Sequence, residues 1–244
     1  MAEMRYKRIL VKLSGEAMAG NSGTGLDPAM IDKLAAELIE LRQAGAEIGV
    51  VVGGGNLFRG AALAAAGLDR VAGDHMGMLA TVMNALALRD GLDRHGATAS
   101  VMSGLAIPQV CEPFTQREAR QRIGSGEVVI FAAGTGSPYF TTDTGASLRA
   151  LEIQADLMIK ATKVDGIYDK DPVKHADAVK FDELNFDEAI DQRLAVMDVA
   201  AMNLCNDNGL DLAVCDINRP SALLDLAHGK PVGTRVSPRE KKND

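Results

Sequence analysis

Five short segments of this 244-residue chain place glycines next to cations, hydroxyls or carboxylates, the mixture that phosphate chemistry calls for. The first is Lys12-Leu13-Ser14-Gly15. A lysine there can reach phosphate oxygens, and Ser14 and Gly15 offer backbone N–H groups. Taken alone, the segment equally describes a surface lysine before a turn. The second is Gly53-Gly54-Gly55-Asn56-Leu57-Phe58-Arg59-Gly60. Consecutive glycines let the backbone pass close to a bulky anion, and Arg59 can clamp a phosphate in bidentate fashion. The plain alternative is a flexible turn. Neither the P-loop pattern nor the dinucleotide fingerprint occurs in it.

The third segment, Asp74-His75-Met76-Gly77, offers a carboxylate that can accept from ribose hydroxyls or simply cap a helix. His75 has no partner in the sequence and receives no catalytic role. In the fourth, Gly134-Thr135-Gly136-Ser137-Pro138-Tyr139-Phe140-Thr141-Thr142-Asp143, hydroxyls and exposed backbone can read the carbonyls and N–H of a uracil edge. Asp143 can orient Lys12 or hold Mg²⁺ indirectly; capping a helix is again its ordinary role. The fifth runs from Lys160 through Thr162, Tyr168 and Asp171 to Pro172. Tyr168 can border an adenine and Asp171 can fix an adenine or ribose group, while the same alternation of Lys and Asp suits a solvated loop.

Composition narrows the classes. A formal net charge of −7 argues against a general nucleic-acid binder, which needs a basic face. Cys111, Cys205 and Cys215 are widely spaced, which is neither a disulfide framework nor a zinc pattern and suits a reducing cytosol. No apolar run approaches the roughly 20 residues of a membrane helix. The charged start of the chain lacks a signal-peptide apolar stretch, so a cytoplasmic location is expected.

The elements that must carry these segments alternate between two periods. Strands are expected at residues 8–13, 47–52, 98–102, 127–132, 157–161, 211–214 and 234–236. Helices are expected from Pro28, with Asp27 as cap, to a stop at Gly45, and at residues 74–94, 115–123, 142–153, 187–192, 198–206 and 221–228. Strands separated by helices imply parallel βαβ units. The expected fold is therefore α/β, a three-layer sandwich with a mostly parallel central sheet covered by helices on both faces. Residues 1–244 read as one domain with approximate lobes at 1–155 and 156–244. The charged tail from residue 237 is expected to fray. In such sheets ligands sit at the carboxyl ends of strands, where the glycine-rich segments fall.

In this order, KLSG, GGGNLFRG, DHMGMLAT, GTGSPYFTTD and KATKVDGIYDKDP resemble the amino acid kinase superfamily, and within it the bacterial uridylate kinase branch. The likeness runs from Lys12 to about Val236. It implies ATP and UMP as substrates, Mg²⁺ entering with ATP rather than on a direct protein site, and no nucleic-acid or membrane partner. Lys12, Arg59 and Asp143 are the implied catalytic residues. Lys12, Leu13, Ser14, Gly15, Gly55, Arg59, Thr162, Tyr168 and Asp171 would bind ATP. Gly54, Asp74, Thr135, Gly136, Ser137, Pro138, Tyr139, Phe140, Thr141 and Thr142 would bind UMP. The first lobe would hold UMP and the second the ATP nucleoside. Asp198 matches a further acidic position without an assigned role. The resemblance also implies a homohexamer activated by GTP and inhibited by UTP. Gly20, Asn21, Ser22, Gly23, Thr24 and Gly25 fall where the GTP response is placed.

Transfer between two phosphates needs positioning and charge neutralisation more than covalent chemistry. The acceptor phosphate is already a nucleophile near neutral pH, so no general base is required. A sibling kinase acting on an acyl group would want a cationic pocket for carboxylates, which the 134–143 segment does not offer. A non-catalytic binding protein on the same fold could dispense with Lys12 or Asp143.

Overall fold

In the computed structural model, which describes residues 4–58 and 67–239, the chain alternates strand and helix as its periodicity demands. It runs through β1 (Arg8–Leu13), α1 (Pro28–Gln43), β2 (Glu47–Val52), α2 (Arg70–Arg94), β3 (Ala99–Ser103) and β4 (Glu112–Pro113). There follow α3 (Gln116–Gly124), β5 (Val128–Ala132), α4 (Thr142–Glu152), β6 (Leu157–Thr162), β7 (Ile167–Tyr168), β8 (Lys180–Phe181) and β9 (Glu183–Asn185). The chain continues with α5 (Phe186–Asp191), α6 (Val199–Asn208), β10 (Asp211–Asp216), α7 (Ala222–Ala227) and β11 (Thr234–Ser237).

Nine strands form one sheet in the order β4-β3-β5-β2-β1-β6-β10-β11-β9. Every pairing is parallel except β10 with β11, so the sheet is mostly parallel with a reversed pair at one edge. β7 and β8 pair separately as an antiparallel ribbon. Because β1 is buried from Ile9 to Leu13, its two faces feed two cores. Ile9, Val11 and Leu13 pack with Leu34, Leu38, Leu88 and Leu223 of α1, α2 and α7. Leu10 packs with Ile123, Ala146, Phe186 and Met202 of α3, α4, α5 and α6. Helices on both faces of a buried parallel sheet complete the expected three-layer sandwich.

Several boundaries follow their local signals. Asp27 accepts from Ala29 N and Pro28 opens α1, as the cap pattern requires. Gly45, at φ +104°, follows the end of that helix. Two sequence expectations are corrected. The long helix begins at Arg70 rather than at residue 74, because Asp69 is the cap and its carboxylate accepts from Ala72 N. Asp74 therefore lies inside α2. Asp143 is not the cap of α4 either; Thr141 takes that role, accepting from the N–H groups of Asp143 and Thr144. Arg59 and Gly60 lie outside the described residues, as does the tail from residue 240.

Candidate active site

The sheet branches around β1: the chain fills one side through β2 and the other through β6. Such a switch point leaves a crevice at the carboxyl ends of the two central strands. Lys12 near the end of β1 and Lys160 on β6 are direct register partners across it. Parallel partners project to the same face, here the face that carries α4. The first turn of α4 brings Asp143 onto both. Lys12 Nζ is 2.8 Å from Asp143 Oδ1, a close ion pair without hydrogen-bond alignment, and Lys160 Nζ donates to Asp143 Oδ2 at 2.8 Å. Lys160 also donates to Val196 O.

The electrostatics follow from burial. Desolvation pushes the Asp143 carboxyl up, yet Lys12 and Lys160 together override it and hold the group below the ordinary aspartate value. Desolvation pushes the Lys160 ammonium down, and the shared Asp143 opposes this only in part. Two buried ammonium groups thus share one directly contacting carboxylate. The triad is short of negative charge and suited to receive an anion at the amino end of α4.

Asp198, the acidic residue without an assigned role, is drawn into the same cluster. It caps α6 through Ala201 N, and it accepts from the Thr144 hydroxyl at 3.0 Å and from the Thr141 hydroxyl. It also acts on Lys160 through space. Thr141 therefore ties the start of α4 to the start of α6.

Two clefts flank the triad. One, of about 360 Å³, is lined by Gly54, Gly55, Asp74, Thr135, Ser137, Phe140, Thr141 and Thr142, together with Thr81 of α2. Gly136, Pro138 and Tyr139 belong to the same loop but lie outside that lining. Within it, Asp74 Oδ2 accepts from Tyr139 N at 2.7 Å and the carboxylate pairs with Arg70 at 2.9 Å. Burial pushes the Asp74 carboxyl up, but these donors prevail and hold it below its ordinary value. The Arg70 guanidinium also stands 5.5 Å from the Tyr139 ring centre. Ala133 and Tyr139 adopt φ of 60° and 71°, left-handed values that cost energy for residues with a Cβ. The surroundings compensate: Thr81 Oγ1 accepts from Ala133 N at 2.7 Å, and buried Arg149 donates to Gly134 O at 3.1 Å.

The second cleft, about 490 Å³, is lined by Lys160, Thr162, Tyr168, Asp171, Leu194 and Val196 among others. Tyr168 donates to Asp165 at 2.7 Å, and Asp171 accepts from Val173 N while pairing with Lys174 at 3.2 Å. The KLSG turn follows β1 directly. A Cβ on Gly15 would come within 2.5 Å of Asn56 Oδ1 and 2.7 Å of Gly55 N, so only glycine lets the KLSG turn and the triple-glycine turn approach. Leu13 and Ser14 line neither cleft. Residues 20–25 connect to the triple-glycine turn through Gly25, whose N–H donates to Asn56 O at 3.0 Å.

Sequence reasoning singled out Lys12, Asp74 and Asp143 but passed over Lys160 as a functional side chain. The signal was present: RILVKL and LMIKAT are apolar strands interrupted by one lysine at equivalent places. A lysine in a buried strand needs a partner, and two such strands pair here. Asn56, Thr81, Asn84 and Arg149 carried no local signal, since their roles are contacts with distant segments.

The amino acid kinase family matches residues 7–216. A protein named uridylate kinase from Xanthomonas campestris pv. campestris is 56% identical over 239 residues, covering 98% of this chain and 100% of the relative. One of the same name from Pseudomonas syringae pv. syringae is 55% identical over 234 residues, covering 96% and 95%. The crystal structure of UMP kinase from Bacillus anthracis superposes with a TM-score of 0.92 at 34% identity, covering 96% and 97% of the two chains.

Proposed function

The chain belongs to the amino acid kinase family, and from that premise we propose that it transfers the γ-phosphoryl group of ATP to UMP, giving ADP and UDP for pyrimidine nucleotide synthesis. The observation that carries the reading is the anion-seeking Lys12–Asp143–Lys160 triad between two clefts of nucleotide size. The cleft bounded by Asp74 and the 134–142 loop takes UMP, and the cleft bounded by Thr162, Tyr168 and Asp171 takes the ATP nucleoside. These correspond to the lobes at 1–155 and 156–244 within one domain.

In this reading a UMP phosphate oxygen attacks the γ-phosphorus in line. A new P–O bond forms as the β–γ bridging P–O bond breaks, and its electron pair leaves on ADP. The attacking phosphate is largely dianionic near neutral pH, so no side chain need remove a proton. Lys12 and Lys160 neutralise charge on the transferring group, and Asp143 fixes both ammonium groups in place. Backbone of Gly54 and Gly55 and the start of α4 hold the phosphates. Arg59, outside the described residues, enters as a phosphate clamp on its sequence pattern alone.

Among the described residues no three His, Cys, Asp or Glu side chains converge as a metal cage. On the family resemblance Mg²⁺ would arrive on the ATP phosphates, with Asp143 and Asp198 as the carboxylates able to orient its water shell. Bound there, it supplies further neutralisation of phosphate charge.

Assembly as a homohexamer, activation by GTP through residues 20–25, inhibition by UTP and a cytoplasmic location belong to the same proposal. Exposed Met76, Leu79 and Met83 on α2 support an assembly face, and the link from Gly25 to Asn56 supports a route from residues 20–25 to the phosphate turn. The test is a coupled assay of ADP release with UMP, CMP, AMP and small acyl acceptors, with and without GTP and UTP. The expected result is ADP release that depends on UMP. Faster turnover of an acyl acceptor, or none with UMP, would overturn the reading.

A further inference from the structure

Asn56 and Asn84 form a buried amide pair beneath the triple-glycine turn, with Asn84 wholly inaccessible and Asn56 4% exposed. Every amide hydrogen in the pair is used. Asn84 Nδ2 donates to Gly53 O at 2.6 Å and to Asn56 Oδ1 at 2.7 Å. Asn56 Nδ2 donates to Gly25 O at 2.6 Å and to Asn84 Oδ1 at 3.2 Å. The backbone of Asn56 also accepts from Gly25 N. Asn56 thus sits where four segments meet: the KLSG turn at Gly15, the glycine turn, α2 and the loop ending at Gly25. A buried polar pair is costly when half satisfied and rigid when fully satisfied. An apolar pair would fill the space but leave the carbonyls of Gly53 and Gly25 without donors. The glycine turn has no side chains of its own with which to hold a conformation, and α2 is the element that also presents Asp74 and Thr81 to the acceptor cleft.

We propose that Asn56 and Asn84 are positioning residues for phosphoryl transfer, setting the glycine turn against α2 so that its backbone meets the acceptor phosphate at a fixed place. This rests on the reading that Gly54, the residue after Gly53, faces the acceptor. Neither asparagine touches substrate; both act through Gly53 and its neighbours. Misplacing a phosphate-holding turn by about 1 Å lowers turnover, while the ATP nucleoside cleft, on the other side of the triad, is left as it was.

The test is steady-state kinetics of Asn84→Asp across pH, each value taken as a ratio to the unsubstituted enzyme. The introduced carboxyl has nearly the same shape but cannot donate to Gly53 O when ionised. Burial raises a carboxyl pKa, so protonation restores one donor toward acid. The expected result is a kcat lower by on the order of 10-fold at about pH 8, recovering in part by about pH 6, with the KM for UMP changed and the KM for ATP within about twofold. Asn206→Asp is the control. Asn206 is also buried and hydrogen-bonded, to Asp187 and Arg239, but sits near the other end of α6 from Asp198 and lines neither cleft, so its loss lowers the melting temperature and leaves the kinetic ratios near one. Should Asn84→Asp not fold, Asn56→Asp carries the same measurement through its lost donors to Gly25 and Asn84. A folded variant with unchanged kcat, a ratio that does not move with pH, or an equal kinetic loss in the control overturns the inference while the UMP reading stands. An unsubstituted enzyme that does not turn over UMP overturns both.

Discussion

Lys12 and Lys160 share a single contacting carboxylate, so deleting a cation and deleting the anion have different consequences. In the proposed reading Lys12→Ala removes a donor to the transferring phosphoryl, and kcat is expected to fall on the order of 10²–10³-fold, with near-normal turnover excluding Lys12 from the chemistry. Asp143→Asn leaves two buried ammonium groups without their counterion. Breaking a buried pair in this way costs about 3–5 kcal/mol. The sign of its pH dependence follows from the depressed Asp143 pKa. The native ion contributes stability that is fully present above the unfolded value of about 3.9 and is lost as pH falls through the lower folded value. The gap between native and Asp143→Asn unfolding free energies should therefore be wide at neutral pH and close in strong acid. Urea titrations at several pH values measure it, and a gap independent of pH would contradict the ion-pair account. Asp74→Asn is expected to raise the KM for UMP more than that for ATP, and equal rises would remove the ribose assignment.

Among the elements, α4 matters most because its cap is also a link in the site. Thr141 accepts from two N–H groups of α4 while donating to Asp198 at the start of α6. Thr141→Val should cost about 1 kcal/mol for the lost cap and should also lower kcat, since Asp143 sits in the turn that the cap holds. Thr115→Val is the matched comparison. Thr115 caps α3 by accepting from Glu118 N, away from both clefts, so its loss should lower stability by a similar amount with kcat intact. If the two variants lose activity equally, the link through Thr141 has no functional weight.

For the molecule as a whole, the sheet order sets where the two clefts of the proposed nucleotide sites meet. The β1–β6 junction puts one cleft on each side of a common cation pair, which suits end-to-end phosphate binding better than any single pocket would. The α2 stripe of Met76, Leu79 and Met83, spaced at helical intervals and 43%, 49% and 55% exposed, is too apolar to be an ordinary solvated face. Light scattering should find an assembly of this chain, and Met83→Glu should lower its mass. A monomer before substitution would withdraw the homohexamer.

Much of this was readable from residue order, for a physical reason. Strand β1, helix α1 and strand β2 are specified by features within a few residues of one another: an apolar run, Asp27 before Pro28, a glycine at the stop. So were the glycine-rich turns at strand ends. The two-residue strands β4, β7 and β8 were not readable, because such short segments become strands only by pairing with distant partners. Nor could local pattern choose between Asp69 and Asp74 as the cap of α2, since both are competent; a contact with Tyr139 N, far along the chain, commits Asp74 elsewhere. The sharing of Asp143 by two lysines likewise depends on the register between β1 and β6 and on the packing of α4 above them. Residue type states which charges exist, whereas Coulomb attraction and hydrogen bonding depend on separation in space, and only the packed sheet and helices set that separation.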